Sequence, residues 1–261
     1  MFQTSVLASG SKGNSIFIRT ESTQLILDAG LSGKKIISLL ESIKINPQKL
    51  NAVIVSHEHG DHVSGVGILC RRFNIPLYIT RLTYSVCCHS IGRLPAGVKY
   101  FETGQEFTIG DLIIKAFPSS HDVIDGSNFV MFKEGDKLRK LAIATDLGYS
   151  SNLLRHNFKD SSTIILESNH DVQMLLNGPY PPHLKQRIKS RQGHLSNEQA
   201  VGVITQVLHP GLKNLILAHL SEKNNLPDLA YKIMSDFLKE VKYELNLLVS
   251  SQYEATGLID V

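Results

Sequence analysis

The chain has 261 residues, 42% of them hydrophobic, and a formal net charge of +3. That length and composition support a substantial buried core, and so slight a basic excess permits a polyanionic partner without requiring one. No stretch approaches the ~20 apolar residues of a membrane-spanning helix, so an integral membrane protein of that kind is excluded.

The first residues, MFQTSVLASGSKG, break at once into a Gly/Ser turn, and no secretory leader is expected from them. Cys70, Cys87 and Cys88 include no CxxC pair and read as reduced thiols packed as small hydrophobes, which points to a cytoplasmic setting. Along the chain, SVLAS, SIFIRT and QLILDAG are neighbouring strands joined by turns. Ile36, Ile37, Leu39, Leu40 and Ile43 then recur at helical spacing up to Pro47, and NAVIVS (51–56) is a buried strand. Helices are expected at 63–74 and 81–91, with PLYIT as a strand between them. From Val98 the pattern returns to strands, VKYF, LIIKAF, NFVMF and KLAIAT, followed by STIILES, a helix at 196–208 and the strand LILAHL. Leu226, Leu229, Ala230, Ile233, Met234, Phe237 and Leu238 share one face of a last helix, and LNLLVS closes as the final strand. Nothing along residues 1–261 reads as a linker or repeat, so one layered α/β domain is expected.

The chemistry concentrates in Ser56-His57-Glu58-His59-Gly60-Asp61-His62, directly after a buried strand. Imidazoles and carboxylates packed this densely at a strand end are costly to bury unless paired or metal-bound. His57 and His59, two apart in an extended loop, can face one ion, and Asp61 and His62, at the turn into a helix, a second. Three further candidates follow apolar strands: His121 after LIIKAFPSS, Asp146 after KLAIAT and His219 after NLILA. Singly each reads as a satisfied polar group or a helix cap. As a set they complete two sites, with His57, His59 and His121 for one ion, Asp61, His62 and His219 for the other, and Asp146 bridging. An all-nitrogen-and-oxygen donor set suits zinc or manganese, with iron or cobalt as further fits.

This order of motifs resembles the metallo-β-lactamase superfamily, which implies an αββα sandwich with metals at one edge. The resemblance gives Asp28, in QLILDAG, the role of stabilising the metal loop. SVLASGSKGNSIFI, ILESNHD (165–171) and YPPHLKQRIKSRQGHLSNEQA (180–200) resemble the YycJ (WalJ) group, described as 5′→3′ DNA exonucleases. Val123, after His121-Asp122, departs from that pattern where a smaller residue is expected.

Ser196 and Gln199 form a candidate capping box, which places His194 beside a helix N-terminus where phosphate is attracted. In related phosphodiesterases a histidine at this place protonates the leaving oxygen; a hydrogen-bonded structural histidine is the alternative. Asp61 could also orient the hydroxide that two neighbouring cations make available at neutral pH. Lys185, Arg187, Lys189 and Arg191 are either a track for a phosphodiester backbone or a solvated face. Glu167, Asn169 and His170 are expected to shape the site rather than bind metal, and His89, His156, His183 and His209 are ordinary histidines. No cysteine follows a metal-motif strand, which disfavours thiolate-ligated lactamases. The expected activity is hydrolysis of a nucleic acid, DNA before RNA, from a 5′ end. A small-molecule phosphodiesterase, for example one acting on cyclic phosphates, and a non-catalytic metal-binding protein remain as rivals.

Overall fold

The computed structural model describes the backbone of residues 1–261 and every side chain except that of Lys137. The first half comprises β1 (Phe2–Ala8), β2 (Ser15–Thr20), β3 (Gln24–Leu27), α1 (Gly33–Ser42), β4 (Ala52–Ile54), α2 (Gly60–Val63), α3 (Val66–Phe73), β5 (Leu77–Ile79), α4 (Arg81–Ile91) and β6 (Val98–Tyr100). There follow β7 (Glu106–Ile109), β8 (Leu112–Pro118), β9 (Ser127–Lys133), β10 (Asp136–Ala144), α5 (Asn152–Phe158), β11 (Thr163–Glu167), α6 (Val172–Asn177), α7 (Pro182–Lys189), α8 (Asn197–Val207), β12 (Asn214–Ala218), α9 (Pro227–Glu240), β13 (Asn246–Val249) and β14 (Ile259–Asp260).

Among the described residues the strands form two seven-stranded sheets, ordered β14-β1-β2-β3-β4-β5-β6 and β13-β12-β11-β10-β9-β8-β7. Alternation along each strand divides its side chains between two faces. Leu25, Leu27, Ala52 and Ile54 join Ile114, Phe129, Ile143, Ile165 and Ile216 in the core between the sheets. Ile26 and Val53 point the other way, onto Ile36 and Leu40 of α1 and Leu69 of α3. On the far side Ala142, Ile164 and Leu215 pack against Leu154 of α5, Ile204 of α8 and Met234 of α9. The layers are therefore helix, sheet, sheet, helix, the expected αββα sandwich.

Two expectations change. The helix foreseen at 63–74 is split, because Gly65 N–H donates to Ala29 O at 2.7 Å and a Cβ there would overlap the Leu31 carbonyl. LNLLVS is not the last strand: β14 adds to β1 with Gln3 opposite Asp260, a pairing of residues far apart in sequence.

The topology collects the candidate residues at one edge. β3 and β4 are parallel, as are β10, β11 and β12. β8 runs with β10, since both are antiparallel to β9. Asp28, His57, His121, Asp146, Glu167 and His219 all lie at or just past the carboxyl ends of these strands. The antiparallel β2 begins at the same edge, which brings Asn14 there.

Candidate metal centre

His57 and His59 leave β4 in an extended segment, and His59, at φ −60° and ψ 146°, caps the single-turn helix α2 that carries Asp61 and His62. Through this switch from extended to helical backbone, one short loop faces two directions. The ligating atoms of His57, His59 and His121 lie within 4.8 Å of one another, and so do those of Asp61, His62 and His219. Asp146 lies between the groups: Oδ2 is 3.3 Å from His62 Nε2, and Oδ1 is 3.5 Å from His219 Nε2 and 3.8 Å from His121 Nε2.

These donors fit cations. His57 Nε2, His219 Nε2 and Asp146 Oδ2 are buried with no hydrogen-bond partner among the described residues. Each such atom costs about 1–3 kcal/mol when left unsatisfied, a penalty a shared cation removes. The charge balance agrees. Burial opposes ionisation of Asp146, but His219, His62 and His57 hold its carboxyl well below the usual range. Burial likewise opposes protonation of His219, yet Asp146, Asp61 and Glu167 raise it to about 10, and Asp28 and Asp146 raise His62. The carboxylates that hold these protons would equally attract divalent cations, which displace protons on binding. His57 and His121 are lowered, chiefly by burial, and so present neutral rings.

Around the donors stands a supporting layer. Asp28 accepts from Ser56 N at 2.8 Å and Ser56 Oγ at 2.7 Å, and its Oδ2 lies 2.9 Å from His62 Nδ1, fixing that ring. Glu167 is fully buried and receives five donors among the described residues. His194 Nδ1 (2.8 Å), His219 Nδ1 (2.9 Å) and Asp146 N (3.1 Å) meet Oε1. Leu147 N (3.3 Å) and Leu195 N (2.8 Å) meet Oε2. Burial works against its charge, but His194 and His219 lower its carboxyl to about 2. Both oxygens of Glu167 are thus engaged by its neighbours, and with Asp146, His194 and His219 it also forms a group whose ligand atoms lie within 4.8 Å of one another. Asn169 Nδ2 donates to His219 O at 2.8 Å, whereas burial pushes His170 down to about 4 and keeps its ring neutral. Asp28, Asp146 and His219 all have left-handed backbone, φ 56° to 59°, a conformation that costs energy in non-glycine residues and gathers at functional sites.

His194 precedes α8, whose Ser196–Gln199 capping box is formed. Its ring centroid lies 4.9 Å from that of His121 and 5.2 Å from that of His219. The basic run divides. Arg191 stacks on Tyr149, 4.1 Å from the ring centroid, beside a cavity that reaches His121. Arg187 is ion-paired with Asp122 at 2.6 Å. Lys185 and Lys189 line a separate recess with Leu176 and Pro182, and Lys185 Nζ donates to Leu176 O. Val123 lies against Gly126, where an added Cβ would meet its Cγ2 at 2.6 Å. Cys70 and Cys87 are buried and Cys88 is half-buried; all three are free thiols.

Three supporting residues escaped the sequence reading. Asn14 Nδ2 lies 3.2 Å from Asp61 Oδ2 and 3.0 Å from His62 Nε2. Ser9 Oγ accepts from His219 N at 2.8 Å, and Ser56 carries the Asp28 contact. SGSKGN reads as a turn, and only its position opposite the HEHGDH loop reveals a second role.

The family model described as metallo-beta-lactamase superfamily matches residues 8–175. Exodeoxyribonuclease WalJ of Streptococcus pneumoniae is 40% identical over 100% of this chain and 98% of its own. Exodeoxyribonuclease YycJ of Bacillus anthracis is 39% identical over 90% of this chain and 89% of its own. Among solved structures, the metallo-beta-lactamase fold protein YhfI of Bacillus subtilis superposes with a TM-score of 0.75, at 16% identity over 98% of this chain and 99% of its own.

Proposed function

The chain belongs to the metallo-beta-lactamase superfamily, and on that premise we propose that it is a two-metal phosphodiesterase degrading DNA from a 5′ end, with residues 1–261 acting as one domain. The observation that carries this reading is the convergence of seven nitrogen and oxygen donors, some of them buried without partners, in a chain 40% identical to an exodeoxyribonuclease. His57, His59 and His121 would hold one cation and Asp61, His62 and His219 the other, with Asp146 shared. Zinc or manganese suits this donor set. Two such cations supply a water of lowered pKa and neutralise charge on the phosphoryl oxygens.

The remaining work falls to the chain. Asp61, half-buried and held ionised by His219 and His62 against the opposing effect of burial, orients the attacking water. As the water oxygen bonds to phosphorus, the bond to the departing 3′ oxygen breaks, and that oxygen takes a proton. His194 suits the donor role, because its Nδ1 is engaged by Glu167 and leaves Nε2 for proton transfer. Of the basic run Lys185, Arg187, Lys189 and Arg191, Arg191 lines the cavity that reaches His121, Arg187 pairs with Asp122 beside His121, and the two lysines line a separate recess.

Incubating 5′-labelled and 3′-labelled single- and double-stranded DNA and RNA with the Mn²⁺- or Zn²⁺-loaded protein tests the reading. Stepwise loss of DNA from the 5′ end is expected. Hydrolysis of cyclic phosphates without cleavage of any polymer would replace the DNA reading with the small-molecule one.

A further inference from the structure

Beside His121 opens a cavity of about 620 Å³ lined by Ser119, Ser120, Tyr149, Ser190, Arg191 and Gln192. We infer that this cavity seats the 5′-terminal nucleotide of the substrate, and that Arg191 grips its 5′-phosphate. The inference rests on the DNA-hydrolase reading above and adds what that reading lacks, the feature that recognises an end.

The walls are three loops tied to one another. Gly148 N donates to Ser120 O at 2.8 Å, and His121 Nδ1 lies 3.1 Å from Gly193 O. Tyr149 N reaches Ser120 Oγ at 3.4 Å. At Gly148 the backbones approach so closely that a Cβ would overlap the main chain of Arg191. This approach seats Arg191 on the Tyr149 ring. Among the described residues the guanidinium has no hydrogen bond or ion pair. One face is covered by the ring and the edge with its N–H donors is open, an arrangement that suits bidentate capture of phosphate. Ser190 and Gln192 add polar groups, and the volume lies in the range of small-ligand pockets, about 300–1,000 Å³, enough for one nucleotide.

Position identifies which nucleotide. Arg191 and His194 belong to one short loop, and His194 lies beside His121, so the cavity is on the flank of the proposed proton donor. A proton delivered to the departing 3′ oxygen requires the nucleotide bearing that oxygen to extend along this flank. At a strand end, that nucleotide is the 5′-terminal one. Its outer phosphate then meets Arg191, and a 5′-hydroxyl end leaves those donors unused.

The test uses the metal-loaded protein and one internally labelled single-stranded DNA carrying either a 5′-phosphate or a 5′-hydroxyl. The quantity read is the ratio of kcat/KM for the two ends within each variant, so any general loss of activity cancels. For the unmodified protein a ratio of about 10 to 100 is expected from a bidentate charged contact. Arg191→Gln should bring it close to one. Arg191→Lys should recover only part, because a point charge cannot stack on the ring and bind as a fork. A ratio near one in the unmodified protein, or an Arg191→Gln variant with the full ratio, overturns the inference while leaving DNA hydrolysis in place. Absence of DNA cleavage, with a nitrophenyl phosphodiester still hydrolysed, overturns the nucleic-acid reading and this inference together.

Discussion

His194 Nδ1 lies 2.8 Å from Glu167 Oε1, and the same oxygen is 2.9 Å from Nδ1 of His219. One buried carboxylate therefore orients the proposed proton donor and a proposed metal ligand together. Glu167→Gln turns an amide N–H₂ towards a cluster that offers only N–H donors. We expect a loss of about 3 kcal/mol, or roughly 6–12 °C in Tm, and a fall in kcat of about 10- to 100-fold. The sign with pH is fixed by the depressed carboxyl. Its stabilisation is complete above the ordinary value of 4.5 and is lost as pH falls towards 2. The difference in Tm between the two proteins should accordingly shrink between pH 6 and pH 3. Equal melting curves and equal kcat at pH 7 would reduce Glu167 to a space-filling group.

His194→Ala should keep both metals, since its Nδ1 is taken by Glu167 and other side chains complete the donor set. DNA cleavage should fall by about 10²–10⁴-fold, the usual share of a general acid. A nitrophenyl phosphodiester, whose leaving group needs little protonation, should be hurt much less. Equal losses on both substrates would assign His194 to positioning.

Asp146 stands within 4 Å of rings from both donor groups. Elemental analysis of Asp146→Ala should therefore show both cations depleted. Two full equivalents of metal in this variant would remove Asp146 from the ligand set.

The division of the basic run predicts unequal salt effects. If Arg191 meets a phosphate, Arg191→Gln should reduce the slope of log K against log salt by about 0.7 on single-stranded DNA. The Lys185→Gln, Lys189→Gln pair, in a different recess, should change it less. The opposite ranking would move the DNA path along α7.

Gly30 is packed so closely on the metal-loop backbone that a Cβ would coincide with the carbonyl oxygen of Asp61. Gly30→Ala must displace Asp61 or its own segment. We expect a destabilisation of about 3 kcal/mol or more, at the upper end of ordinary substitutions, with metal loss in whatever folds. Melting and metal analysis at wild-type values would show that the loop adapts without cost.

HEHGDH was legible in the sequence because a short loop can present several donors without help from the rest of the chain. The strand pattern was legible too, since alternation of Leu25, Ile26 and Leu27 follows from burial on both faces of a covered sheet. His121, Asp146 and His219 were weaker signals: each is one polar residue after an apolar run, and only parallel strands sharing an edge bring them together. Tertiary structure alone decided what is set by contacts distant in sequence. Asn14 reaches Asp61 across 47 positions, and Ser9 reaches His219 across 210. β14 finds β1 from the opposite end of the chain. The basic run read as one patch because charge is a property of composition, but a helix turns its residues to different sides and a neighbouring carboxylate can claim one of them. Arg187 went to Asp122, the lysines to another recess, and Arg191 to the Tyr149 ring beside His121. Local pattern specifies strands, caps and dense motifs, whose energetics involve near neighbours. Which side chain faces which site depends on long-range packing, in which every contact is conditional on the whole fold.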